Sequence, residues 1–188
     1  DMYGNFDYWW TDDIILVGAG GHARSCVDVI ELSGQFNIAG FVEKYDGDSQ
    51  ENLRYPVIGN DDDLPNLRSK YEFALVTVGQ IKSAVTRVKL FAILSNLGYK
   101  LPVIVSPRSH ISKYSEIGSG TIIMHDVIVN TNAKIGKNCI INNKVLIEHD
   151  VKIGDHCHIA TGAIINGELV VGSESFIGSG AVTKQSLS

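Results

Sequence analysis

The sequence predicts an α/β domain followed by a parallel β-helix of six-residue repeats, and three observations predict it. The stretch IILVGAGGHARSCVDVIEL, residues 14–32, joins an apolar run, a glycine turn and a helical pattern. From residue 105 a β-branched aliphatic side chain recurs at every sixth position, through Val105, Ile111, Ile117, Ile123, Val129, Ile135, Ile141, Ile147, Ile153, Ile159, Ile165, Val171 and Ile177. Glycine follows that beat at Gly118, Gly136, Gly154 and Gly172, each 18 residues from the last.

The first half reads element by element. A buried strand leads into the turn Gly18-x-Gly20-x-x-Ala23, close to the dinucleotide fingerprint in which amides at a helix N-terminus hold phosphate. Gly18, Gly20, Gly21 and His22 are therefore candidate substrate-binding residues. The next strand, NIAGFVEK, places Glu43 about twenty residues after the turn, where such folds carry an acid for the ribose. A strand over 71–79, a helix over 82–97 and a last strand over 101–105 complete a Rossmann-like unit spanning 13–105. It is smaller than a two-half dinucleotide fold, so a mononucleotide or nucleotide sugar suits it better than NAD. The segment Ser106-Pro107-Arg108-Ser109 links it to the second unit, 106–188. The opening DMYGNFDYWWTDD is rich in aromatics and is expected to pack on the domain or on a neighbour.

In the second half a period of six fits neither a helix nor a flat strand, but it fits short strands broken by turns. The 18-residue glycine beat makes three hexads one coil, with residues 18 apart stacked about 4.8 Å from each other. In a triplet such as Val145-Leu146-Ile147 the outer residues point inward and the middle one outward. One outer face then carries Glu116, Lys134, Lys152 and Val170; a second, Ile122, Ile140, His158 and Phe176; the third, Ile128, Leu146, Ile164 and Val182. Two apolar faces left in water would form interface-sized patches, and a closed ring of three copies, each packing one such face on its neighbour's other, covers both. A homotrimer is expected.

His149 sits at a corner beside the third face, and His158 lies outward in the second, half a coil away. Sides of roughly 20 Å keep the two rings apart within one chain, whereas neighbouring copies can bring them together at an interface. Gly167 stacks one coil above His149 and offers an unhindered amide to an oxyanion. Asp150 or Glu148 can orient the His149 ring, and Asp150 stacks on Glu168, which predicts a raised pKa in one of that pair. His149 is thus the candidate catalytic base, with Asp150 assisting. His156 reads as a surface corner and His125 as a structural residue between the two packing faces. The imidazoles diverge, so no metal site is expected.

Composition narrows the class further. With 44% hydrophobic and 20% charged residues, the 188-residue chain has the make-up of an ordinary soluble globular protein. A net charge of -5 with no basic cluster argues against a nucleic-acid partner. No apolar run approaches the roughly 20 residues that span a bilayer, and the start lacks a secretion signal, so no membrane association and a cytoplasmic location are expected. Cys26, Cys139 and Cys157 form no CxxC pair and read as small buried side chains.

GAGGHA, GFVEK, PVIGNDDDL, SPRSHIS and IEHDVKIGDHCHIATGA together resemble the bacterial sugar acetyltransferases with a left-handed β-helix, the family of the sialic acid O-acetyltransferases and the UDP-4-amino-sugar N-acetyltransferases of bacillosamine synthesis. The resemblance runs from about Asp13 to Thr183. It implies a left-handed coil and an acetyl-CoA-dependent enzyme acting on an amino or hydroxyl group of a surface-glycan sugar, free or nucleotide-linked. The residue roles it implies are His149 as general base, Asp150 as its helper, Asn142 beside the substrate, His158 and Ala160 against acetyl-CoA, and the Gly167 amide on the thioester carbonyl. Such a direct transfer requires neither a metal nor a covalent intermediate. The family's second strand ends in two aspartates where this chain has Glu43-Lys44, and the repeats run to about Thr183 without the family's closing segment. An expectation from another class is a non-catalytic subunit that binds a nucleotide sugar.

Overall fold

The computed structural model describes residues 11–44 and 54–186. The expectation for the aromatic opening falls mainly on residues 1–10, outside those described. In the first half, β1 (Asp13–Val17) pairs in parallel with β2 (Asn37–Val42) and β4 (Phe73–Val76), and β3 (Val57–Gly59) extends β2, for a sheet order β3-β2-β1-β4. β1 is buried on both faces, as a near-continuous Ile-Ile-Leu-Val run requires of a central parallel strand. The turn after it turns sharply at Gly18, whose φ of 109° favours glycine and whose added Cβ would stand 2.5 Å from Val78 Cγ2. Helix α1 (Gly21–Ser33) buries Ala23, Cys26, Val27 and Ile30, one stripe at helical spacing, and stops at the left-handed Gly34, whose N–H donates to the Ile30 carbonyl. A short helix, α2 (Leu64–Leu67), and a longer one, α3 (Val85–Asn96), complete the unit.

The second half is a three-sided solenoid. Face one stacks β7 (Glu116–Ile117), β10 (Lys134–Ile135), β13 (Lys152–Ile153) and β16 (Val170–Val171). Face two stacks β5 (Ile104–Val105), β8 (Ile122–Ile123), β11 (Ile140–Ile141), β14 (His158–Ile159) and β17 (Phe176–Ile177). Face three stacks β6 (His110–Ile111), β9 (Ile128–Val129), β12 (Leu146–Ile147) and β15 (Ile164–Ile165). All neighbours are parallel in an 18-residue register, such as Ile140 on His158 and Leu146 on Ile164. The strand expected to end the α/β unit is thus the first rung of face two, because Ile104 and Val105 pair with Ile122 and Ile123.

The periodic aliphatics and the small residues two positions before them fill the prism in one buried column-like core, including Val145, Ile147, Cys157, Ile159 and Ala163. Each buried Ile or Val contributes about 1.5–3 kcal/mol. The stacked glycines allow one corner's coils to touch: a Cβ on Gly118 would lie 2.6 Å from the Gly136 carbonyl carbon. A further six-residue beat sits at the corners. Gly120, Asp126, Asn132, Asn138, Lys144, Asp150, His156, Gly162, Glu168, Glu174, Gly180 and Ser186 all hold a positive φ between 52° and 70°. Each corner turns through one left-handed residue, which explains the crowding of Gly, Asn and Asp there.

The two apolar faces differ from expectation. Most of face two is covered by the chain itself: Ile104, Ile122, Met124 and Ile140 are buried in the same cluster as Ala23, Cys26, Val27 and Ile30 of α1, while Phe176 at its far end is 41% exposed. His125, expected as a structural corner between two packing faces, accordingly ties that corner to α1 through Asp28 Oδ2 at 2.7 Å, while its Nδ1 meets Ser106 Oγ at 2.7 Å. Face three stays open, with Ile128 44% and Val182 66% exposed and Leu146 and Ile164 half-buried between them. Among the described residues no helix is long and apolar enough to cross a membrane.

Candidate active site

His149 lies on an exposed corner between faces three and one. Its Nδ1–H donates to Asp150 Oδ2 at 2.9 Å, leaving Nε2 as the free nitrogen. That bond comes first among the causes that raise the His149 pKa above its ordinary value, and the charges of Asp150, Glu148 and Glu168 add to it. Asp150 occupies the left-handed corner position, with φ of 60°. Its other partner is Asn132 Nδ2, which donates to Oδ1 at 3.3 Å. Its carboxyl is held below the ordinary range, first by His149 and then by Asn132. The expected carboxylate pair with a raised member therefore does not hold for Asp150, and Glu168 instead accepts from Ser186 Oγ at 2.7 Å. Of the two possible orienters of His149, Asp150 takes the role and Glu148 accepts from Asn130 Nδ2 at 2.9 Å.

Gly167 lies against the imidazole. A Cβ there would stand 2.8 Å from both Cε1 and Nε2 of His149, so only a glycine lets the ring rest on this backbone. The coil spacing thus puts imidazole, carboxylate and bare backbone in one place.

His158 has different surroundings. It is 8% exposed, its Nδ1–H donates to the Gln80 carbonyl at 2.5 Å, and its ring meets Phe176 edge-on with centroids 5.1 Å apart. Asn142 Nδ2 lies 3.4 Å from its Nε2. Burial lowers the His158 pKa and the charge of Arg87 adds to this, with the Gln80 bond opposing. His158 was expected outward on a packing face; instead the 78–80 segment of its own chain covers it, because the α/β unit occupies face two. Ala160, two residues on, is buried at 4% exposure. His156 is no surface corner either: it is half-buried, its ring packs edge-on to Phe91, Asn138 Nδ2 lies 3.0 Å from its Nδ1, and its carbonyl accepts from Gln80 Nε2.

His22, the third residue of the glycine turn's GGH, joins this second cluster. Its Nε2 is 3.4 Å from Cys26 Sγ, and its pKa is pushed down to about 3, by burial first and then by the charges of Arg87 and His158. Burial also pushes the Cys26 thiol up to about 12, so it is not a nucleophile at neutral pH. Gly20 caps α1, and Gly20 and Gly21 are both exposed at the helix N-terminus, where a Cβ on Gly20 would meet nothing within 4 Å. Glu43 accepts from the Ala19 amide through Oε2 at 2.8 Å and from the Lys44 amide through Oε1 at 3.0 Å. One turn amide expected to serve a phosphate is therefore already taken by a carboxylate. Beside it a cavity of about 230 Å³ opens between Gly18, Glu43, Lys44, Asp61, Thr86 and Lys89. An open trough of about 530 Å³ along face one, floored by Lys134 and Lys152, is lined by neither His149 nor His158. Among the described residues no group of three His, Cys, Asp or Glu side chains is placed to hold a metal.

Residues that sequence reasoning missed are Gln80 and Arg87, which join the two units over His158; the short link between the expected strand 71–79 and helix 82–97 gave no sign of a partner 78 residues away.

Comparison with known proteins follows the same division. Residues 13–92 match the PglD N-terminal domain family, and residues 114–149 and 132–167 match the bacterial transferase hexapeptide family of six repeats. No curated relative matches the chain. The acetyltransferase domain of PglB from Neisseria gonorrhoeae superposes with a TM-score of 0.85 at 27% identity, covering 94% of this chain and 84% of that one. The same domain in complex with acetyl coenzyme A gives 0.86 at 27%, covering 94% and 83%. A perosamine N-acetyltransferase from Caulobacter crescentus, solved with CoA and GDP-perosamine, shares the fold with a TM-score of 0.78 at 24%, covering 93% and 90%. The α/β unit, the three-sheet solenoid and the matched families agree: this chain joins a PglD N-terminal domain to hexapeptide repeats, and it is similar in fold to left-handed β-helix sugar acetyltransferases.

Proposed function

We propose that this protein transfers the acetyl group of acetyl-CoA directly to an amino group of a nucleotide-linked sugar. The observation that carries the reading is His149, bonded to Asp150 and lying on the bare backbone of Gly167. The acceptor nitrogen attacks the thioester carbonyl, His149 Nε2 takes the proton it loses, and the Gly167 N–H stabilises the tetrahedral oxyanion. The C–S bond then breaks, and the sulfur leaves as CoA thiol after taking a proton. Similarity to a PglB domain solved with acetyl coenzyme A supports the donor. The cavity beside Gly18 and Glu43 supports a nucleotide-bearing acceptor, with Gly20, Gly21 and His22 at the adjoining helix start.

His149 and His158 belong to one site only if different subunits contribute them. We read the working form as a homotrimer in which the open third face, Ile128, Leu146, Ile164 and Val182, meets a neighbour. His158, Asn142 and Ala160 of one copy would then flank the acetyl donor beside His149 of the next. We read the reaction as cytoplasmic.

The test is to mix the protein with acetyl-CoA and UDP- or GDP-linked amino sugars and to follow the released thiol. Turnover with an amino sugar supports the reading. Turnover only with sialic acid or another hydroxyl acceptor moves it to O-acetylation, and nucleotide-sugar binding without any thiol release replaces it with a non-catalytic subunit.

A further inference from the structure

Arg87, on α3, is fully buried and yet meets no carboxylate among the described residues. Its guanidinium faces four oxygens instead. Nη1 donates to the Val76 carbonyl at 3.0 Å, at the end of β4, and to the Val78 carbonyl at 2.6 Å, two residues beyond it. Nη2 donates to the carbonyl and the side-chain Oδ1 of Asn138, at 3.1 and 2.8 Å, on a left-handed corner of the solenoid. Nε has no partner. Burying a cation without a counter-ion is costly, and charge-assisted bonds to carbonyl dipoles offset only part of that cost. Such a group needs a reason beyond filling space.

The reason lies one step along the chain. The segment Arg87 grips runs from Val78 to Gln80, and Gln80 makes two contacts with the coil. Its side chain donates to the His156 carbonyl at 3.0 Å, and its backbone carbonyl accepts from His158 Nδ1. Asn138, held from the other side, returns a bond to the Arg87 carbonyl at 3.2 Å and reaches His156. We infer that Arg87 is a positioning residue of the site: by clamping the 78–80 segment to the Asn138 corner it makes Gln80 hold His158 in the tautomer whose Nε2 can only accept a hydrogen bond. Resting on the acetyl-transfer reading above, this gives His158 a defined part, accepting from a donor N–H of the acetyl carrier and taking no proton itself.

The electrostatics point the same way. Among the described residues the groups facing His158 are His22 from α1, Arg87 from α3, Gln80 from the clamped segment, and Asn142 and Phe176 from the coils, with no acid among them. The Arg87 charge disfavours protonation of both His22 and His158.

The experiment compares wild type with Arg87→Met, which keeps the length and loses the charge and fork, and with Arg87→Lys, which keeps the charge alone. Two readings are taken: steady-state CoA release, and NMR of isotope-labelled histidines, which reports the His158 tautomer without any turnover. In folded Arg87→Met the Nδ1–H signal of His158 is expected to be lost or averaged, and kcat/KM for acetyl-CoA to fall about 100-fold, the scale of a misplacement near 1 Å. Arg87→Lys, which keeps the charge without the fork, is expected to restore neither the Nδ1–H signal nor the rate. If Arg87→Met does not fold, Asn138→Gly keeps the corner's φ of 52° and removes the Oδ1 bond to Arg87 together with the Nδ2 bonds to the Arg87 carbonyl and His156, while the Asn138 carbonyl still accepts from Arg87; a smaller change in the same two signals is expected. A wild-type His158 signal and wild-type kinetics in a folded variant would overturn the inference. Absence of turnover in the wild type with an intact, Arg87-dependent His158 signal would instead count against the acetyl-transfer reading.

Discussion

Two histidines nine residues apart on one solenoid have opposite electrostatic settings. The His149 side chain is 46% exposed, bonded to a carboxylate and surrounded by acids, which hold its proton more tightly. His158 is 8% exposed and near a buried guanidinium, so its proton is held less tightly even though its Nδ1–H is bonded to a carbonyl. The repeat gives both the same local backbone lattice. What packs against each face makes the difference: solvent and acids at the first, the chain's own α/β unit at the second. A repeat therefore supplies positions, and the elements laid on it assign the chemistry.

Replacing the more exposed of the two tests the contrast most strongly. His149→Ala is expected to lower kcat by about 10²–10⁴-fold, the usual contribution of a general base. Its melting temperature should stay near that of the wild type, because the side chain is outside the core. Full turnover in the CoA-release assay would assign the base elsewhere.

Gly167→Ala sharpens the geometry. The new methyl group would stand 2.8 Å from the His149 ring, which must swing away, and a loss of about 100-fold in kcat with an unchanged fold is expected. Kinetics within a few-fold of wild type would show that the ring does not use this backbone.

Asp150→Asn examines the proton directly, and asparagine tolerates the left-handed corner. Asp150 raises the His149 pKa, so in the wild type the rate falls as pH drops through that raised value. With asparagine the base stays deprotonated to lower pH, and the acid limb of the kcat/KM profile should move down. A limb that does not move would assign it to another group. The smallest effect belongs to the corners themselves. Lys144 carries a left-handed φ of 60° without the side chain for it, and Lys144→Asn should stabilise the fold by about 0.5–1 kcal/mol, read from denaturant melts.

The solenoid was legible from the sequence because an inward β-branched residue must recur wherever three short strands close a turn; the faces and the 18-residue register followed, including the neighbourhood of His149 and Gly167. The left-handed corner column was equally present, in Gly120, Asp126, Asn132, Asn138 and Asp150, but the aliphatic beat drew the reading away from it. What covers face two was not legible. An outward Ile122 or Ile140 shows that something apolar lies on it, and the pattern is the same whether the cover comes from a neighbour or from α1 of the same chain. The bonds that decide the matter, Asp28 to His125 and Gln80 to His158, span 97 and 78 residues and leave no periodic trace.

The stacking register also sets how the second half can change length. Removing one residue between two rungs would turn every later inward isoleucine toward a corner and slide His149 off its acid and glycine, while removing a whole loop of the spiral, one rung from each side, would only shorten the prism. Gain or loss of sequence in this part of the molecule should therefore come in multiples of a full turn, or as excursions at a bend that return to the same rung.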